Sequence, residues 1–147
     1  MSRKKILVPI DGTERSIQSL NFIKGLFPKD SLDIILMNVK ELVLIDGMSI
    51  AEELKVAEQV GGEILDNAEE TMEGYSVEKY FAFGYAGDEI VKKANEDKID
   101  VIVMTKSTKK GLTRMIGSVT VSVVKHAKCI VMIVPEWWMK SPKIMNV

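Results

Sequence analysis

A chain of 147 residues, 46% hydrophobic and 28% charged, is sized for one domain with a full core, and so much apolar surface excludes disorder of the whole chain. The net charge of −1 hides an asymmetry: residues 1–40 carry 7 basic and 4 acidic groups, residues 41–100 carry 5 and 16, and residues 101–147 carry 8 and 1. No apolar run approaches the ~20 residues of a membrane span, the apolar stretch before Asp11 is too short for a secretory signal, and the single cysteine, Cys129, allows no internal disulfide, so a cytoplasmic protein without a membrane role is expected.

In chain order, Lys5 to Ile10 (KILVPI) is a mostly apolar run that ends on the turn pair Asp11-Gly12. It reads as a strand buried on both faces, with Pro9 near its end because proline brings no N–H to a ladder. Ile17, Leu20, Ile23 and Phe27 recur at helical spacing until Pro28. Asp33 to Val39 is a second strand. From Ile50, the positions Leu54, Ala57, Ile64, Ala68 and Met72 mark one face of a long acidic helix. Gly61-Gly62 falls inside it, at a cost of about 1 kcal/mol each against alanine, which predicts a kink or break there. Val77 to Phe83 alternates as a strand. After the Gly84–Gly87 turn, Asp88 and Glu89 open a short helix, where negative charge suits the N-terminal end. Ile99 to Met104 is a fourth strand, a loop runs from Thr105 to about Leu112, a helix spans roughly Ser118 to Ala127, and Ile130 to Val134 is a fifth strand.

Strands alternating with helices predict βαβ units: an α/β, doubly wound, Rossmann-like fold around a five-stranded parallel sheet. Ligands in such folds bind at the C-terminal edge of the sheet, near the switch in strand order. The domain is expected to end at residue 135. Residues 136–147 form a C-terminal tail with adjacent Trp137 and Trp138, which are expected to pack on the domain or on a partner subunit.

Catalytic machinery is scarce in the sequence. His126 is the one histidine, placed at a helix end where a structural role is expected. The chain has no nucleophile elbow, no dinucleotide fingerprint and no P-loop motif. One His and one Cys cannot build a common structural zinc site, and Cys129 reads as an inert thiol. The strongest chemical signal follows the fourth strand. Residues 105–118 (TKSTKKGLTRMIGS) form a hydroxyl- and lysine-rich loop that ends in Gly-Ser at a helix start. From Val101 to Pro135 there is no Asp or Glu. Backbone N–H groups and the positive helix end can hold a phosphate there, with Gly117 admitting it and Ser118 capping the helix. The same residues also make an ordinary capped helix after a solvated loop.

The sequence resembles the universal stress protein family up to about Pro135. The resemblance rests on Lys5-Ile6-Leu7-Val8-Pro9-Ile10-Asp11-Gly12-Thr13, on Asp100-Val101-Ile102-Val103-Met104, on Gly117-Ser118-Val119, and on Val124-Lys125-His126-Ala127-Lys128-Cys129-Ile130-Val131. It implies one universal stress protein domain over 1–135 with the fold reached above, of the adenine nucleotide alpha hydrolase-like type. It also implies a homodimer paired through the last strand, Ile130, Val131, Met132, Ile133 and Val134. Part of the family binds ATP or AMP through G-x-x-G, nine residues, then G-S/T. The implied nucleotide site comprises Pro9, Asp11, Val39, Met104, Thr105, Thr108, Gly117, Ser118 and Val119. Here Gly117 and Ser118 match the final pair, while Thr105 and Thr108 stand where the first two glycines belong, and eight residues rather than nine separate Thr108 from Gly117. Threonine resists the positive φ and close approach that glycine allows. The chain therefore resembles the branch of the family that has lost tight ATP binding, with no cofactor expected to be tightly held and ATP or AMP at low affinity. Lys106, Lys109 and Lys110 would offset part of the loss as point charges.

Two readings follow. The first is a non-enzymatic stress-response protein, a cytoplasmic homodimer whose signalling runs through unidentified protein partners. The second is an adenine-nucleotide-binding stress protein with slow ATP hydrolysis. The missing glycines favour the first. The basic 101–128 segment lacks interleaved aromatics, which argues against nucleic acid.

Overall fold

A computed structural model describes residues 2–43, 46–105 and 117–135. The described residues form β1 (Lys4–Pro9), α1 (Glu14–Leu26), β2 (Leu32–Lys40), α2 (Ile50–Thr71), β3 (Ser76–Phe83), α3 (Ala86–Glu96), β4 (Val101–Thr105), α4 (Ser118–His126) and β5 (Ile130–Val134), with a single 3-10 turn at Lys29–Ser31. The strands make one parallel sheet in the order β3-β2-β1-β4-β5. This is the α/β, doubly wound, five-stranded architecture that the alternation of elements predicts. No helix among the described residues is long and apolar enough to cross a membrane.

Each central strand is apolar on both faces because each face has its own core. Ile6, Val8 and Ile10 join Leu20 and Ile23 of α1, Leu65 and Ala68 of α2 and Met72 at its C-cap on one side. Leu7, Met37, Ile102 and Met104 join Ile90 and Ala94 of α3 and Val123 of α4 on the other. The period-2 geometry of a strand divides consecutive residues between these two layers. Strand order reverses between β1 and β4: the chain leaves β1 toward β2 on one side, while β4 and β5 build outward on the other. That is where a doubly wound sheet opens a crevice at its C-terminal edge.

The structure corrects the sequence reading at Gly61-Gly62, at Ile10 and at Ile99, among other places. Of the kink or break expected at Gly61-Gly62, the break is absent: α2 runs unbroken through both. A Cβ at Gly61 would lie 2.3 Å from Phe81 Cε2 and 2.9 Å from Asn38 Oδ1, so this glycine lets the helix lie close on the sheet. Ile10 falls outside β1. Its N–H still donates to Met37 O at 2.7 Å, but Gly12 then takes φ +87° and turns the chain off the ladder. Ile99 precedes β4 as a buried residue in the turn after α3, its N–H bonded to Ala94 O at 2.9 Å.

Both sheet edges are strands with one neighbour each, β3 and β5. Lys79 on β3 is held by α2 carboxylates, with Nζ 2.8 Å from Asp66 and 3.3 Å from Glu69. On β5, Ile130 is 65% exposed, whereas Val134 is fully buried in the chain's own core.

Candidate functional site

The crevice between β1 and β4 is a cleft of about 360 Å³. Its position follows from the ends of the strands. β1 stops at Pro9, and Asp11-Gly12-Thr13 carries the chain into α1. Asp11 is fixed by its own turn: its Oδ1 accepts from Thr13 N at 2.9 Å and from Thr13 Oγ1 at 2.6 Å. Thr13 in turn caps α1, accepting from Ser16 N at 3.4 Å. Short polar side chains that bond to backbone two or three residues ahead are suited to such a turn. On the neighbouring strand, Asn38 is buried and its Nδ2 donates to Ile10 O at 2.7 Å, which locks the end of β1 beside β2 and positions Val39 at the rim.

Of the nine residues singled out in the sequence, six line this cleft together: Pro9, Asp11, Val39, Met104, Thr105 and Val119. Ser118 lies beside it, in an adjoining groove with Gly84, Asp88 and Ser122. Gly117 precedes α4 as its N-cap residue. Thr108 lies outside the described residues, as do Lys106, Lys109, Lys110 and the Trp137-Trp138 pair. Ser118 does not cap α4 as expected: the cap position belongs to Gly117, which has no side chain, and Ser118 is the first helical residue.

Sequence reasoning missed several lining residues. Met37, Ala86 and Ile90 give the cleft an apolar wall from β2 and α3, and Thr13, Arg15 and Ser16 give it a polar wall from α1. Nothing in the local pattern marks Met37 or Ile90, which look like ordinary core. Arg15 carried a usable signal, because a basic residue four positions after Asp11 falls in the first turn of the helix that borders the crevice. His126 is away from the cleft, exposed at the end of α4, its Nδ1 2.9 Å from Ser122 O. Cys129 is half-buried between α4 and β5, and burial pushes its thiol above the ordinary range, which suits an unreactive side chain.

The family model described as "Universal stress protein family" matches residues 2–135. The chain belongs to that family. Universal stress protein MJ0531 of Methanocaldococcus jannaschii is 30% identical to it, over 95% of this chain and 84% of that protein. Among solved structures, the hypothetical protein MJ0577 superposes with a TM-score of 0.71 at 25% identity, covering 92% of this chain and 98% of the other. A universal stress protein family protein from Arabidopsis thaliana, with AMP bound, superposes with a TM-score of 0.65 at 17% identity, covering 97% and 98%. In this member of the family, the last residue of β4 is Thr105. A β-branched residue there occupies the ladder's end, paired with Val134 of β5.

Proposed function

We propose that this member of the universal stress protein family works in the cytoplasm without catalysis, as a homodimer, and that its cleft takes an adenine nucleotide only loosely. The observation that carries this reading is the joining of Pro9, Asp11, Val39, Met104 and Val119 in one cleft whose β4 end is Thr105. The apolar wall of Met37, Val39, Ile90 and Met104 suits a flat heterocycle. The first turn of α4 has no side-chain cap, so its N–H groups and positive end suit an anion. AMP is bound by the Arabidopsis protein of the same fold. Thr105 and Thr108 replace the glycines that would bring backbone N–H groups against a phosphate chain, so the cradle is incomplete. The lone histidine lies outside the cleft, which favours binding over general acid–base chemistry.

The homodimer is supported by β5. Ile130 N donates to Asp100 O of the turn before β4, so in a regular parallel ladder the N–H groups of Val131 and Ile133 point outward. An apolar edge strand with free pairing positions favours closure by its own copy. Calorimetric titration with ATP and AMP in the presence of magnesium tests the nucleotide reading. Kd is expected no tighter than roughly 0.1 mM, about −5.5 kcal/mol. A nucleotide that survives purification, or a low-micromolar Kd, overturns it. Sedimentation at micromolar concentration tests the dimer, and a monomer defeats it.

A further inference from the structure

A second concavity, about 370 Å³, lies between the N-terminal half of α2 and the chain that leaves β2. Leu42, Val43 and Met48 form one wall, and Val56, Val60 and Ile64 of α2 form the other. Ile64 packs on the core beneath, but the outer wall residues are well exposed. Val43 is 68% exposed, Val56 49% and Val60 50%, and Val56 and Val60 stand one turn apart on the same face of α2. A contiguous apolar trough with exposed walls marks an interaction site more often than scattered surface residues do. Its rim is acidic. Among the described residues, the exposed carboxylates of Asp11 and Glu41 line it beside Lys40, Glu53 lies buried in the wall below them, and α2 as a whole carries seven carboxylates and one lysine. Met48 adds a flexible side chain able to repack around different apolar anchors.

We propose that this trough docks the apolar face of a cationic amphipathic helix supplied by another protein, with leucine- or phenylalanine-sized anchors in the groove and lysine or arginine over the acidic rim. Helix-in-groove binding needs an apolar trough of this kind, and the charge selects a basic helix over an acidic one. A second copy of this chain is a poor occupant, because a two-fold contact through the same surface would set one acidic rim against the other. The trough adjoins the cleft through Asp11 and Val39, but the proposal does not rest on nucleotide binding, and its test uses protein without nucleotide.

The probe is a fluorescein-labelled helix of about 18 residues, long enough to be helical when bound, with leucine on one face and lysine on the other. Its control replaces every lysine with glutamate. Anisotropy titration of the full chain at physiological salt should show saturable 1:1 binding of the lysine helix and at least about tenfold weaker binding of the glutamate helix. Val60→Asp separates the groove from general attraction, because it adds negative charge to an acidic surface. Weakening of the lysine helix by about tenfold or more is expected. Unchanged or tighter binding overturns the proposal, since charge alone would then account for it. Val43→Asp, on the opposite wall and more exposed, should behave the same way, and circular dichroism confirms that both variants keep their fold. Three further outcomes also overturn the proposal: equal binding of both helices, binding that emerges only when residues 136–147 are deleted, which gives the trough to the chain's own tail, and a self-association that Val60→Asp abolishes, which gives it to a second copy.

Discussion

At the scale of single residues, two adjacent glycines show how little local pattern says about role. In sequence, Gly61 and Gly62 are alike. In the fold, a Cβ at Gly61 meets the ring of Phe81 at 2.3 Å, whereas a Cβ at Gly62 meets nothing within 4 Å. That ring is itself held edge-on to Phe83 at 5.0 Å between centroids, so it has little room to give way. Gly61→Ala is expected to destabilise by about 1–3 kcal/mol through overpacking, and Gly62→Ala to stabilise by about 0.5–1 kcal/mol by removing a flexible residue from mid-helix. Urea denaturation of the two variants beside the parent checks both signs. Arg15 carries a second residue-scale prediction. If it faces the phosphate of a nucleotide in the cleft, Arg15→Gln should weaken AMP about tenfold and leave adenosine unchanged. Equal losses for both ligands would instead assign Arg15 to shaping the pocket.

At the scale of elements, β5 shows why an apolar strand cannot be read as an interface from its composition. Ile130, Val131, Met132, Ile133 and Val134 look equivalent, and lysine at Met132 and Val134 would be the natural way to break a dimer. The structure corrects that choice. Val134 is fully buried against the α1–α2 layer, and Met132 packs on the same cluster, so a lysine at either place buries an unpaired charge in the protomer itself and costs the fold before it tests the dimer. A sound test acts on the edge. Ile133→Pro removes a donor directed away from β4, which an edge strand tolerates, and it should leave a folded monomer by sedimentation and circular dichroism. A folded dimer would move the interface elsewhere. α2 teaches the same lesson in reverse: it is continuous where its glycines predict a break, because packing on β2 and β3 stabilises a helix that propensity would interrupt.

At the scale of the whole molecule, the near-zero net charge conceals an acidic α2 side and a basic 101–147 segment. If Lys106, Lys109 and Lys110 supply much of the attraction for a nucleotide, AMP affinity should fall steeply between low and physiological ionic strength. A flat response would assign the binding to burial of the base. Much of the architecture was legible beforehand, since β1 to β5 alternate with helices at spacings that only a doubly wound parallel sheet accommodates, and that sheet places Asp11, Val39 and Thr105 at one edge. Pro9 at a strand end and Asp11-Gly12 at a turn are local matters of missing donors and positive φ, which is why they could be read from the chain. Tertiary structure decided the rest. The inward face of Val134, the close approach at Gly61 and the entry of Met37, Arg15 and Ile90 into the cleft all depend on which element lies across from each residue. Spacing along one strand or helix carries no record of its neighbour, because the contact is made only when strand order, crossover hand and packing distance are set together.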